Sequence, residues 1–300
     1  MNTSSSPELR ASACRPESGL HETRILRLGS LNIAAPAVMG ILNVTPDSFS
    51  DGGRFDSPHI ALRQAAVMAE AGAAIIDIGG ESTRPGAKNV SEQEELDRVV
   101  PIIESIRAVT DVPVSVDTSK PAVMRAAVAA GASMINDVYA LRAVGAMAAA
   151  VELKVPVCLM HMLGEPRTMQ DDPQYDDVVA EVASFLESRI EACVAAGLSE
   201  DLIVVDPGFG FGKTHDHNIE LLANLRQLRV RDRPMLVGVS RKSTLGELTE
   251  RTITERMPAS IAAAVVAVMQ GADIIRAHDV RETVDALKVA RAVIEMGRKL

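Results

Sequence analysis

Ala71-Gly72-Ala73-Ala74-Ile75-Ile76-Asp77 reads as a helix end, a glycine stop, a short apolar run and then a polar residue. The same design recurs at Ala130-Gly131-Ala132-Ser133-Met134-Ile135-Asn136 and at Gln270-Gly271-Ala272-Asp273-Ile274-Ile275-Arg276. A glycine past a helix end supplies the left-handed residue that stops it. A brief apolar run bounded by such signals is a strand buried on both faces. Working outward from these repeats, strands are expected at 38–42, 74–78, 112–116, 133–135, 155–160, 202–205, 235–239 and 273–277. Helices fill the gaps. One opens at Ser57-Pro58 and stops at Gly72, one has a Ser91/Glu94 capping box, and one starts from Ser119-Lys120-Pro121. Others cover 145–151, 175–196, 218–228 and 259–270, and Asp279 and Glu282 cap the last. Eight strand–helix units in 300 residues read as a single-domain α/β chain, a (β/α)8 barrel. A doubly wound open sheet is the alternative, and the regularity of the units favours closure.

Two segments precede the first unit. Residues 1–24 are rich in Ser, Pro, Glu and Arg and have no apolar middle, so they are read as a disordered N-terminal arm, not a signal peptide. Residues 25–33 alternate apolar and polar side chains, which suits a small hairpin covering one end of the barrel. The domain proper is therefore taken as 25–300.

Composition narrows the function. The chain is 47% hydrophobic, yet no apolar run reaches a membrane span. Three cysteines, Cys14, Cys158 and Cys193, leave an odd one and show no metal spacing, which fits reduced thiols and a cytoplasmic location. Net charge −9, two Tyr, five Phe and no Trp argue against nucleic acid as a partner. A small-molecule substrate is the better expectation.

In such barrels the active site lies where strands end, because the loops there share one mouth. The first strand ends in Asn43-Val44-Thr45-Pro46-Asp47-Ser48-Phe49-Ser50-Asp51-Gly52-Gly53, a loop crowded with hydrogen-bonding groups. Other strand ends carry Thr83, Arg84, Asp117, Asn136, His161, Asp206, Ser240, Lys242, Arg276 and His278. Asp117, Asn136 and Asp206 offer acceptor edges to a flat heterocycle rich in N–H groups. Arg276, His278 and Lys242 form a cationic patch by the last two strands, where barrels commonly bind phosphate. Asn43, a neutral oxygen donor, suits Mg²⁺, which takes few protein ligands. Blander readings stand beside these. Asp117 and Asp279 could each be a helix cap, Asp77 and Asp137 are read as structural, and His161 as a satisfied wall residue. His215 and His217 are read as surface groups. Gly208-Phe209-Gly210-Phe211-Gly212-Lys213-Thr214 approaches a phosphate-cradling loop but has Pro207 where the first glycine belongs, so its glycines are taken to shape the sixth loop, with Phe211 as a stacking ring.

The Asn43 segment, Gly79-Gly80-Glu81-Ser82-Thr83-Arg84-Pro85-Gly86, Asp206-Pro207-Gly208-Phe209-Gly210-Phe211 and Ser240-Arg241-Lys242 together resemble the signature segments of dihydropteroate synthases. The likeness runs from Val38 to the last helix. It implies a TIM barrel of folate biosynthesis, a homodimer, that joins 6-hydroxymethyl-7,8-dihydropterin diphosphate to p-aminobenzoate and releases diphosphate. It further implies that Asp117, Asn136, Asp206 and Lys242 hold the pterin, and that Asn43, Arg276 and His278, helped by Asp51, hold diphosphate and Mg²⁺. Thr83, Arg84, Pro85, Phe49, Phe211 and Ser243 would form or flank the arylamine pocket. Val138-Tyr139-Ala140-Leu141-Arg142 departs from the small or hydroxyl residues of the family's pattern and bears on the shape of the fourth loop. Rival readings are a pterin-binding methyltransferase domain, a Schiff-base aldolase using Lys242, and a non-catalytic partner subunit of the same family. The Asn43 and Thr83 segments argue against the first, and borohydride trapping would reveal the second. The intact motifs argue against the third.

Overall fold

The computed structural model describes residues 24–45, 53–82, 89–165 and 168–297, the side chains of 53–57 excepted. The expected arm, save Arg24, lies outside the described residues. Arg24 itself is tied to the fold, donating from Nη1 to Asp273 Oδ1 at 2.6 Å.

Eight parallel strands make the barrel: β3 (Ala37–Asn43), β4 (Ile75–Gly79), β5 (Val114–Asp117), β6 (Met134–Asp137), β7 (Val157–Met160), β8 (Ile203–Asp206), β9 (Leu236–Val237) and β10 (Ile274–Ala277). They follow β1 (Ile25–Leu28) and β2 (Leu31–Ala34), which pair antiparallel as the expected hairpin. Hydrogen-bonded order runs β8-β7-β6-β5-β4-β3-β10-β9. A parallel bridge between Val205 and Met235 then joins the two ends of that order. The barrel, not the open sheet, is what forms.

Side-chain parity along the strands decides what the interior contains. Val38, Ile76, Val116, Ile135, Leu159 and Val205 face outward into one apolar layer shared with the surrounding helices. Their neighbours Met39, Ile75, Met134, Cys158, Val204 and Ile274 face inward and form a separate cluster with Leu26, Leu28, Leu31 and Ile33 of the hairpin. The hairpin therefore plugs the N-terminal end of the barrel. With that end filled by apolar atoms, the inward positions two residues further along each strand are free to be polar.

The helices are α1 (Gly53–Glu70), α2 (Glu92–Arg107), α3 (Pro121–Ala129), α4 (Ala146–Leu153), α5 (Val178–Ala195), α6 (His215–Ala223), α7 (Ser243–Thr249), α8 (Met257–Met269) and α9 (Val280–Gly297). Three differ from expectation. The first begins at Gly53, so Ser57 is no cap and Pro58 lies inside α1. The stretch 218–228 splits into α6 and a 3-10 turn over Leu225–Leu228. The short α7 has no counterpart in the sequence reading. Of the expected caps, Ser91 accepts from Glu94 N at 3.2 Å, while the Glu94 carboxylate takes Arg98 rather than closing the box. Asp279 is no simple cap either, because its carboxylate receives the Arg241 fork at 3.1 and 2.5 Å.

Candidate active site

The C-terminal mouth of the barrel is polar because the inward parity of six strands, β3, β4, β5, β6, β8 and β10, places a hydrogen-bonding side chain there. Asn43, Asp77, Asp117, Asn136, Asp206 and Arg276 share the inward side with the apolar plug below them. Arg276 ties several together. Its Nε donates to Asp77 Oδ2 at 2.7 Å and its Nη2 to Asp117 Oδ2 at 2.9 Å. Asn136 Nδ2 donates to the same Asp77 oxygen at 3.1 Å. Asp77, read from the sequence as structural, is fully buried. It lies at the centre of the charge network. Strand parity carried the signal: Asp77 alternates with outward Ile76 and Ile78. The same rule places Asp137 outward, where its carboxylate accepts from Ser119 and from the backbone N–H of Tyr139 and Leu141 at 2.8 Å each. Asp137 is structural, as read.

That capping shapes the fourth loop. Ala140 and Leu141 both have left-handed backbone, φ 51° and 58°. Arg142 Nε donates to Tyr139 O and Arg189 Nε to Ala140 O, each at 2.9 Å. Side-chain bonds to the backbone thus hold a conformation that glycine would otherwise favour.

Burial sets the titration of the site. It raises Asp117 to about 7, with Arg276 opposing the rise and Asp77 adding to it. It raises Asp206 to about 6, against the Gly208 N–H and the charges of Lys242, Lys213 and Arg276. Burial also works to lower Arg276, but Asp77 and Asp117 more than offset it and keep the guanidinium charged.

The sixth loop is folded tightly around Asp206. Gly208 N–H donates to Asp206 Oδ1 at 2.7 Å. Gly208 has φ +70°, and a Cβ there would lie 1.8 Å from His161 O, so no other residue fits. Phe211 is buried, with Lys242 Nζ 4.3 Å above its ring centre. Lys242 stands immediately before α7, whose first residue is the exposed Ser243. His278 is oriented by Ser240: Nδ1 and Oγ are 3.0 Å apart, and His278 N–H donates to the same hydroxyl at 3.2 Å. His161 is buried in the wall against Phe185, as expected. Its neighbour Lys213, passed over with the glycine-rich stretch, is buried too.

At the second strand end, Lys120 Nζ bridges Glu81 and the buried Glu95, and Glu81 Oε1 accepts from Val90 N at 3.1 Å. The sequence assigns none of these three residues a place in the site: Lys120 reads as part of a helix start, Glu81 as one member of the second loop's motif, and Glu95 carries no local signal. Phe49, Asp51, Thr83, Arg84 and Pro85 lie outside the described residues. Asn43 ends β3 next to the gap over Gly79, where an added Cβ would meet Asn43 Oδ1 at 3.6 Å and Asp117 Oδ2 at 3.8 Å.

An acceptor-lined mouth with a cationic rim is a site for a flat, N–H-rich, anionic substrate. Comparison with known proteins agrees. Residues 39–278 match the family described as pterin binding enzyme. The dihydropteroate synthase of Escherichia coli K12 is 53% identical over 265 residues, covering 88% of this chain and 94% of that protein. The chain belongs to the dihydropteroate synthase family. A Haemophilus influenzae member is 50% identical over 262 residues, 87% of this chain and 95% of that protein. Among solved structures, the Yersinia pestis synthase in complex with a sulfonamide drug superposes with a TM-score of 0.86 at 52% identity, covering 90% of this chain and 99% of that one. The Xanthomonas albilineans synthase with 7,8-dihydropteroate does so with a TM-score of 0.82 at 49% identity, covering 90% and 98%. The chain is accordingly a transferase of folate biosynthesis. It condenses 6-hydroxymethyl-7,8-dihydropterin diphosphate with p-aminobenzoate to 7,8-dihydropteroate and diphosphate.

Proposed function

We propose that the condensation takes place in this mouth, with Asp117, Asn136, Asp206 and Lys242 holding the pterin. The observation that carries the assignment is the convergence of inward-facing acceptors on one rim. Asp206 and Asn136 are both nearly inaccessible to bulk water, and Lys242 crosses the Phe211 ring beside them. A pterin edge bearing several N–H donors meets those acceptors with no donor facing a donor. Phe211 and Ser243, with Phe49, Thr83, Arg84 and Pro85, are assigned to the arylamine side.

Arg276 and His278 supply positive charge and a polar ring where diphosphate departs, with Asp51 as a helper. Two Arg276 nitrogens are engaged by Asp77 and Asp117, so its charge is largely neutralised where it stands. Its part in diphosphate binding is correspondingly smaller than an unpaired arginine would give. The residues fit Mg²⁺ in a limited way: among the described residues no three His, Cys, Asp or Glu groups are placed to hold a metal ion by themselves, and Asn43 offers one neutral oxygen at the rim. That donor set suits an ion whose shell is completed by water and phosphate oxygens. Asn43 would hold it, and the bound ion would supply charge to the departing diphosphate. The C–O bond to diphosphate breaks, the amine lone pair forms the C–N bond, and the amine loses one proton. The neutral arylamine needs no strong base, and the chain's task is to orient the ring and keep water out.

Diphosphate release that depends on both substrates tests the assignment as a whole. Release with either substrate alone would refute it. For the metal, Asn43→Ala is expected to raise the Mg²⁺ concentration needed for half-maximal diphosphate binding by calorimetry, while binding of a diphosphate-free pterin changes little. Full turnover after chelation would remove the role given to Asn43.

The homodimer is part of the same proposal. Val266 and Met269 on α8 and Val289, Val293 and Met296 on α9 leave large apolar side chains exposed on neighbouring helices. Spacings of three, four and seven residues put each set on one helix face. A second copy would cover this face. Val293→Glu is expected to shift the sedimenting species to monomer; an unchanged dimer would place the interface elsewhere. The proposal also places the enzyme in the cytoplasm, which the free buried thiols Cys158 and Cys193 support.

A further inference from the structure

We propose that Lys213 is a positioning residue of the reaction, holding the loop after β8 so that Asp206 meets the pterin as an ionised carboxylate. The inference rests on the reading of Asp206 as the pterin's acceptor.

Lys213 is 3% exposed, an unusual place for an ammonium. Its three donors are matched by three acceptors: His161 Nδ1 at 2.8 Å, Gly208 O at 3.0 Å and Phe211 O at 3.1 Å. An ammonium cannot accept, so His161 Nδ1 is the acceptor and the ring proton sits on Nε2. Burial, with the nearby charges of Lys213 and Arg142, holds His161 down to about 2, so the ring stays neutral and keeps that lone pair. Gly208 is gripped from both sides, its N–H by the Asp206 carboxylate and its C=O by Lys213. The backbone N–H of His161 in turn donates to the backbone carbonyl of Asp206 at 2.9 Å. The ends of β7 and β8 and the turn that carries Phe211 are therefore one connected unit with Lys213 at its hub.

Neutral acceptors satisfy the ammonium's geometry but not its charge. A neutral donor such as a carboxamide could meet part of this hydrogen bonding without the cost of a buried cation. What the cation adds is attraction to a carboxylate. Burial brings Lys213 down to about 7, and Asp206 is the charge that most holds it up, with Lys242 opposing. Asp206 in turn is faced by Lys213, Lys242 and Arg276, and its charge is felt by the Cys158 thiol in the layer below. The charge of each member of the pair favours the charge of the other. At pH below about 7 Lys213 is charged and opposes protonation of Asp206.

The test is the pH dependence of binding of 6-hydroxymethylpterin, which carries no diphosphate, by calorimetry from pH 5.5 to 7.5. Lys213→Gln keeps donors and removes the charge. The midpoint of its acid limb is expected about one pH unit above wild type, the lower end of what a neighbouring opposite charge does. Its affinity should be roughly tenfold below wild type at pH 5.5 and within about twofold at pH 7.5. A Lys213→Gln curve weakened uniformly, with an unmoved midpoint, would show a merely structural lysine and overturn the inference. The coupling is reciprocal and can be read without altering Lys213. In Asp206→Asn the Lys213 titration, followed by the ¹³Cε shift, is expected to fall by about one unit. An unchanged titration there would also overturn it. The Asp206 variant separates the two claims. If Asp206→Asn binds the pterin as wild type does, the reading of Asp206 fails and the inference with it. If Asp206→Asn loses binding while the Lys213→Gln midpoint stays put, the inference alone fails.

Discussion

Asp206→Asn is expected to weaken pterin binding tenfold or more at pH 7.5 and to leave the fold at least as stable as before. The carboxylate ends β8 on the inward side, and one oxygen already accepts the Gly208 N–H at 2.7 Å. The rest of its accepting capacity faces the pocket. An amide replaces one oxygen with a donor, which must then face either the Gly208 N–H or the N–H groups of the pterin. An unmatched buried contact of this kind costs roughly 1–3 kcal/mol, and each 1.4 kcal/mol is about tenfold in affinity. Stability moves the other way. Burial holds Asp206 at about 6, above the 3.8 of an unfolded carboxyl, so between those values the native state binds more protons than the unfolded state. Asp206 therefore withdraws stability as pH rises through that window, and the amide does not. Wild-type pterin affinity should fall as pH drops below about 6, whereas the variant, already weak, should change little. Calorimetry at pH 7.5 and pH 5 with parallel thermal melts reads all of this. Unchanged affinity at pH 7.5 would remove Asp206 from the pterin site.

The barrel was legible because its signals are local. A glycine stop followed by an apolar run needs no partner to be recognised, and strands β4, β6 and β10 follow from it directly. The start of α1 was misplaced because Ser57-Pro58 looks like a beginning, whereas the helix starts at Gly53 and tolerates Pro58 inside it. The short α7 shows no periodicity to read. In the site, residues at the very end of a strand stand out from the sequence, whereas Asp77 reads as structural and its tie to Arg276 does not show. It stands two residues before the end of β4, where only strand parity shows that it faces inward. Lys213 was out of reach for a different reason. Its partner His161 lies 52 residues away, and no local pattern marks a lysine as buried. The pairing of Arg276 with Asp77 is less local still, 199 residues apart. Position at a strand end was readable, but what each side chain is bonded to was not.

Arg276→Met should be the most destabilising single change in the mouth, and its cost should grow with pH. The guanidinium is the cation for two carboxylates at once, Asp77 at 2.7 Å and Asp117 at 2.9 Å. Asp77 is fully buried, and its Oδ1 has no hydrogen-bond partner among the described residues. Once the pH is high enough to ionise Asp117, removing the arginine leaves two negative groups facing each other without the cation they share. Breaking a buried pair in this way costs roughly 3–5 kcal/mol. Asp117 already stands at about 7 with Arg276 working to lower it, so without the arginine it is held higher still. Its folded value then exceeds the unfolded 3.8 by a wider margin, and the variant's native state binds the extra proton across more of the pH range. Stability is therefore lost progressively as pH rises from about 4 upward. Urea unfolding at pH 5 and pH 8 should show the deficit against wild type to be larger at pH 8. Arg276→Lys keeps the charge but cannot fork to both carboxylates, so it should fall between wild type and Met. The triple change Asp77→Asn, Asp117→Asn and Arg276→Met removes every uncompensated charge together and is expected to recover more than half of the loss, though not pterin binding. A deficit equal at both pH values, or a triple variant no more stable than Arg276→Met alone, would mean that the network is held by packing rather than by charge.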